Sequence, residues 1–354
     1  MDDWTSDHSF LKLESPEQIL IGEVSKLLVT DSFIFILDRK RQTIYSFDQQ
    51  GSFKFVIKAL DNDQGEQFEY LRDIAWDQFN KQLSIVDSNA NKIYIYDEKG
   101  NYLNTIKPLI RPSSIYRLTK DSWVVNNAFA GSADHPDKLY VLDNAFQKKI
   151  SSQIEPDIMS GSITVPNPFI TYQGQVKFIH GFDNNLYSIS SNSTVKTEFS
   201  INFKSLDFSE KLKTLSRQEV MRTFMRQDYA GLVVNYLETE DYIGFTYSRN
   251  GQVDIKGSRF ILFDKETSSQ QVIFRKQQLG NIQISKPESF YGDRFISDID
   301  FYSINENDEE KLEDEEMRGR STVHGWYNNL EDIKRITKTL DSPILFYYKP
   351  KVSH

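Results

Sequence analysis

Phe33-Ile34-Phe35-Ile36-Leu37-Asp38, a short polar gap, then Thr43-Ile44-Tyr45-Ser46-Phe47-Asp48-Gln49-Gln50-Gly51 is a phrase that this chain repeats. The second copy is Gln82-Leu83-Ser84-Ile85-Val86-Asp87, followed by Lys92-Ile93-Tyr94-Ile95-Tyr96-Asp97-Glu98-Lys99-Gly100. Asp38 and Asp87, Asp48 and Asp97, and Gly51 and Gly100 are each 49 residues apart. β-Branched and aromatic residues fill each run and turn formers bound it, so each run reads as a strand. Gly51 and Gly100 close Asp-x-x-Gly turns, where the hairpin needs a residue tolerant of positive φ. A strand precedes each phrase and another follows it, as in Phe53–Ile57 and Tyr102–Ile106, giving four antiparallel strands per unit. A fixed period in this range denotes an array of like units.

The beat continues in Lys138–Asp143, Asn185–Ile189 and Arg259–Asp264. A surplus near 205–230 reads as a helical insertion. Ser216-Arg217-Gln218-Glu219 has the capping-box pattern, with Val220, Met221, Phe224 and Met225 on one face. That face reads as packing the insertion onto its own fold. A sixth unit is composite. It takes the alternating run Arg294–Phe301, an acidic solvated loop from Glu306 to Glu316, and a helix near 326–340 carrying Trp326, Leu330, Ile333, Ile336 and Leu340. It ends in a strand at 343–349. Residues 1–8 are polar and read as a loose lead-in, and a strand at 9–14 is expected to close the last blade against 343–349. The fold class is therefore all-β: a six-bladed β-propeller of four-stranded antiparallel blades, residues 1–354 forming one domain. A linear solenoid would need shorter parallel rungs, and a sandwich would not repeat.

The chain has 354 residues, 38% of them hydrophobic, enough for a large core held as one repeat array. A formal net charge of −9 and the lack of a Lys/Arg cluster argue against nucleic acid as partner. The absence of cysteine excludes disulfides, thiolate metal sites and Cys nucleophiles. No apolar stretch approaches the roughly 20 residues of a membrane-spanning helix.

Three stretches resemble the six-bladed β-propeller proteins common in Bacteroides and its relatives, distant cousins of NHL-repeat propellers. They are Ile21-Gly22-Glu23-Val24-Ser25-Lys26-Leu27 with the first phrase, Glu238-Thr239-Glu240-Asp241-Tyr242-Ile243-Gly244-Phe245-Thr246-Tyr247, and Asp341-Ser342-Pro343-Ile344-Leu345-Phe346-Tyr347-Tyr348-Lys349. The last is similar to an Asn-Pro-Val-Leu ending in that group. Of the group's Gly-x-Gly-Pro-Gly-Glu-Tyr motif, only Gly65, Glu66 and the aromatic Phe68 are matched. The resemblance implies an extracytoplasmic protein, periplasmic or an outer-membrane lipoprotein, with the signal segment and lipid anchor belonging to a native precursor. It implies no particular reaction.

Candidate chemistry is sparse. Asp61-Asn62-Asp63-Gln64-Gly65-Glu66 suggests calcium, but the fifth, sixth and twelfth positions of a calcium loop are Gly65, Glu66 and Arg72, so a polar turn is the better reading. The histidines, His8, His135, His180, His324 and His354, show no metal-ligand spacing. Neither a metal nor a cofactor is expected. The strand-ending Asp38, Asp48, Asp87, Asp97, Asp143 and Asp264 recur in unit after unit, which suits turn capping and not a singular catalytic role. Propeller ligands sit at the channel mouth. Residues expected there are Glu66, Arg72, Arg111, His180, Arg226, Tyr247 and Arg249, the arginines as bidentate clamps and the tyrosine as a stacking face. The leading reading is non-catalytic recognition of a glycan, peptide or protein in the cell envelope. A propeller hydrolase or lyase acting on carbohydrate or peptide, and a structural interaction scaffold, are the alternatives.

Overall fold

The computed structural model describes residues 5–14, 21–59, 68–156, 158–159, 165–249, 258–268, 270–274, 277–279, 282–284, 287–299, 325–327 and 343–350. They form a six-bladed β-propeller. Blade one is Lys26–Val29, Phe33–Asp38, Thr43–Asp48 and Phe53–Lys58; blade two is Leu71–Asp77, Gln82–Asp87, Lys92–Asp97 and Tyr102–Ile106. Blade three is Pro112–Thr119, Ser122–Asn127, Leu139–Asp143 and Lys149–Gln153; blade four is Phe169–Tyr172, Gln175–His180, Asp183–Ile189 and Val195–Ser200. Blade five is Ala230–Glu238, Tyr242–Arg249, Ser258–Asp264 and Gln270–Phe274. Blade six runs Ser289–Tyr291, Arg294–Asp298, Ile344–Pro350, Thr5–Lys12, with Gly325–Tyr327 added outside the last.

The quoted phrase is thus the second and third strand of a blade, and its aspartates tie the turns. Asp87 Oδ1 accepts from the Asn89 and Ala90 N–H groups, while Oδ2 accepts from Glu69 and Tyr70 in the connection entering the same blade. Asp38 repeats this with Arg41, Gly22 and Glu23. Both carboxylates are fully buried. Asp48 and Asp97 cap the next hairpin, each Oδ1 taking two N–H groups at 2.8–2.9 Å. Gly51 and Gly100 both sit at φ +83°, the left-handed turn that the spacing predicts.

The chain clusters into two compact units, residues 1–56, 237–243 and 262–354, and residues 57–236 and 244–261. In the first, Leu11, Ile34, Ile36, Phe47, Ile296 and Leu345 make a core. In the second, strand alternation splits blade three between two cores. Trp123 and Val125 pack with Ala75 and Val86 of blade two, while Val124 and Leu139 pack with Phe169 and Phe178 of blade four. Each fully buried side chain of this kind contributes about 1.5–3 kcal/mol.

Three details differ from the sequence reading. The first strand begins at Thr5, inside the stretch read as loose, because the Arg294 guanidinium holds Asp7 at 2.7 Å and Ser9 Oγ at 3.1 Å. Trp326, read as helical, lies in a strand: its neighbours pair with Phe10 and Lys12, and its indole donates to the Gln49 carbonyl at 3.0 Å. Met225 is 58% exposed, although Val220 and Phe224 beside it are buried. Residues 328–342, the acidic run, His324, His354 and the 61–66 loop lie outside the described residues.

The insertion is helical as expected, with helices α1 (Ser209–Leu212) and α2 (Arg217–Arg226). Glu219 closes the capping box, accepting from Ser216 N–H at 2.8 Å and its hydroxyl at 2.6 Å, and those bonds hold its carboxyl below the ordinary range. Phe224 rests on Phe182 and Phe208, each with ring centroids 4.9 Å away.

Candidate functional site

Antiparallel alternation puts the second-to-third-strand turns and the blade-to-blade connections at one end of each sheet. The described candidates belong to the second unit. Arg72 is half-buried in the first strand of blade two, and Arg226 is exposed in the last turn of α2. Arg249 makes a two-point bond to Asp228, Nε to Oδ1 at 2.7 Å and Nη2 to Oδ2 at 2.6 Å. That pairing raises the Arg249 pKa and lowers that of Asp228, so the pair stays ionised through neutral pH. Tyr247 is buried with its ring 5.0 Å from that of Phe203. His180 ends the second strand of blade four, buried, its ring stacked on Phe178 at 6.4 Å and 14°. Glu66 lies outside the described residues.

Arg111 is the candidate with the most developed surroundings. Its Nε donates to the Ser88 carbonyl and its Nη2 to that of Asn89 at 2.8 Å, so it binds the blade-two turn that Asp87 caps. Its guanidinium lies 4.8 Å from the ring centre of Phe129, which is 53% exposed. Phe129 was not legible as a site residue. A local substitution puts it there: Asn127 stands where blades one and two have Asp38 and Asp87. The amide donates to the His135 and Asp137 carbonyls at 3.0 and 3.1 Å, and accepts from Phe129 N–H at 2.9 Å. An amide can do both where a carboxylate only accepts, and it holds a longer loop, 128–137, with Phe129 at its start. Gly131 at φ +89° and its N–H to the Pro136 carbonyl at 2.8 Å order the far side.

Ser114, Asn126 and Asn167 were also missed. Ser114 and Asn126 face each other across the first two strands of blade three. Asn167 precedes blade four, where the Ile179 N–H bonds the Pro168 carbonyl and sets Asn167 opposite His180. All four side chains are buried, at 1%, 3%, 8% and 3% exposure for Ser114, Asn126, Asn167 and His180. Ser114 Oγ, Asn126 Oδ1 and Asn167 Oδ1 have no hydrogen-bond partner among the described residues. Serine and asparagine carry no pattern that marks such a role in sequence.

A family model described as a domain of unknown function, DUF4934, matches residues 1–348. A candidate exported protein of Bacteroides fragilis is 19% identical with a TM-score of 0.74, the match covering 99% of this chain and 98% of that one. A DUF4221-family member from Bacteroides vulgatus is 7% identical with a TM-score of 0.54, over 99% and 98% of the two chains. Both likenesses are of fold. No curated protein matches.

Proposed function

Because the chain belongs to the DUF4934 family, we propose that it is a binding protein of the bacterial cell envelope, recognising a glycan or peptide at the channel mouth. The observation that carries this reading is the half-exposed Phe129 ring beneath the Arg111 guanidinium, itself anchored by two carbonyls. An aromatic face and a fixed cation are what a sugar ring or a peptide side chain docks against, and holding them in place beforehand lowers the entropy cost of binding. Glu66, Arg72, His180 and Arg226 are further candidate contacts. Tyr247 and Arg249, engaged with Phe203 and Asp228, act as supports. The exported character ascribed to the Bacteroides fragilis propeller supports an envelope location, with a lipid anchor on the precursor. Cell fractionation tests the location.

Calorimetric titration against glycan and peptide panels tests the binding. Phe129→Ala or Arg111→Ala should weaken the ligand found by about tenfold or more, the range of a modest hot spot. Unchanged affinity in both variants, or no binding by the wild type, would end this reading.

A further inference from the structure

Blade three and blade four share an apolar interface built from Tyr116, Val124, Phe169 and Phe178. Side chains alternate along a strand, so a two-residue step stays on one face. One such step from each of these four residues, toward the second-to-third-strand end, reaches Ser114, Asn126, Asn167 and His180. The interface therefore ends in a polar layer two strands wide on each side. None of the four is an acid, a lysine or an arginine. Three present oxygens unpartnered among the described residues, at positions more than nine-tenths buried.

Leaving a buried oxygen without a donor costs about 1–3 kcal/mol, and native proteins hold few such groups. The described residues hold thirteen such buried side-chain atoms, and three of them fall in this one layer, where donors from outside the chain would satisfy them together. We infer that this layer binds a neutral hydroxyl-bearing group, a sugar hydroxyl of a glycan, whose O–H donates to Asn126 Oδ1 or Asn167 Oδ1. Neutral acceptors match neutral hydroxyls, and an anionic sugar would bring a carboxylate to oxygens that repel it. Asn126 and Asn127 are consecutive in one strand and so face opposite sides of blade three, Asn126 toward blade four and Asn127 toward the side of blade two, with Phe129 N–H bonded to Asn127 Oδ1. The inference deepens the mouth-binding reading and rests on it.

The test titrates wild type, Asn126→Leu and Phe129→Ala with neutral methyl glycosides, matched uronic acids and a peptide panel, and records thermal midpoints. Neutral glycosides should bind the wild type better than uronic acids, and Asn126→Leu should weaken them by about tenfold or more. Asn126→Leu should also raise the midpoint, since an unsatisfied polar group is replaced by an apolar one of similar size. A lowered midpoint with unchanged affinity overturns the inference and makes the layer structural, filled by water. Glycoside binding lost in Phe129→Ala but kept in Asn126→Leu, or binding of peptides alone, overturns it while the mouth-binding reading stands. No binding at all overturns both.

Discussion

Asp87 gathers four main-chain N–H groups from two turns with one buried carboxylate, and this economy explains why the same residue recurs in each of the first two blades. Asp87→Ala strands those donors, and equilibrium denaturation should show a loss of about 3 kcal/mol. Gly51 is constrained twice: its φ is +83°, and a Cβ would lie 2.6 Å from the Lys12 carbonyl. Gly51→Ala should cost about 2 kcal/mol on the same measurement. Asp97 links turn chemistry to pH. Burial alone would raise its pKa, but the Asn101 side chain, the Asn101 and Lys99 N–H groups and the Lys99 charge outweigh that and lower it. A carboxyl lowered in the folded state contributes stability that is full above the unfolded value of about 3.9 and lost as pH falls through the folded one. Unfolding curves measured between pH 6 and pH 3 should therefore show a smaller acid loss in Asp97→Asn than in wild type. The turn aspartates and glycines were legible because each acts within a few residues of itself.

Elements were legible where one period dominates and obscure where two compete. The inner strands of blades one and two are short β-branched and aromatic runs, buried almost throughout and bounded by turn residues, and a capping box marks the start of α2. Trp326 fits a helical spacing with Leu330, but pairing with the first strand and the Gln49 carbonyl sets it in a sheet, and such long-range partners leave no mark on local spacing. Met225 sits at the margin of the apolar stripe of α2, where one residue of rotation separates burial from solvent. Phe224→Ala should cost about 3–4 kcal/mol by denaturation, because Phe182 and Phe208 lose their filling, whereas Met225→Ala should stay within about 0.5 kcal/mol.

At the scale of the molecule, repetition revealed the propeller, and departures from repetition reveal its candidate site. Asn127 in place of aspartate, and the polar layer at Ser114 and Asn126, depend on which blade faces which, and that relation is not written in a single strand. Blade six is held by pieces distant in sequence. Thr5–Lys12 lies between Ile344–Pro350 and Gly325–Tyr327, with Phe10 opposite Phe346. Removing residues 1–12 should lower the thermal midpoint and broaden the transition, since the sheet loses an inner strand. The same arrangement sets a timetable for synthesis. Lys12 and its partner Ile344 are 332 residues apart, so at about 5–20 residues per second the first strand waits roughly 20–70 s for its mate. Through that interval Phe10, Leu11 and Leu13, all fully buried in the finished protein, are uncovered on a nascent chain. Blade six therefore closes only after the strands of the other five blades have been made, and a holdase that covers Thr5–Lys12 in the meantime should raise the yield of native protein.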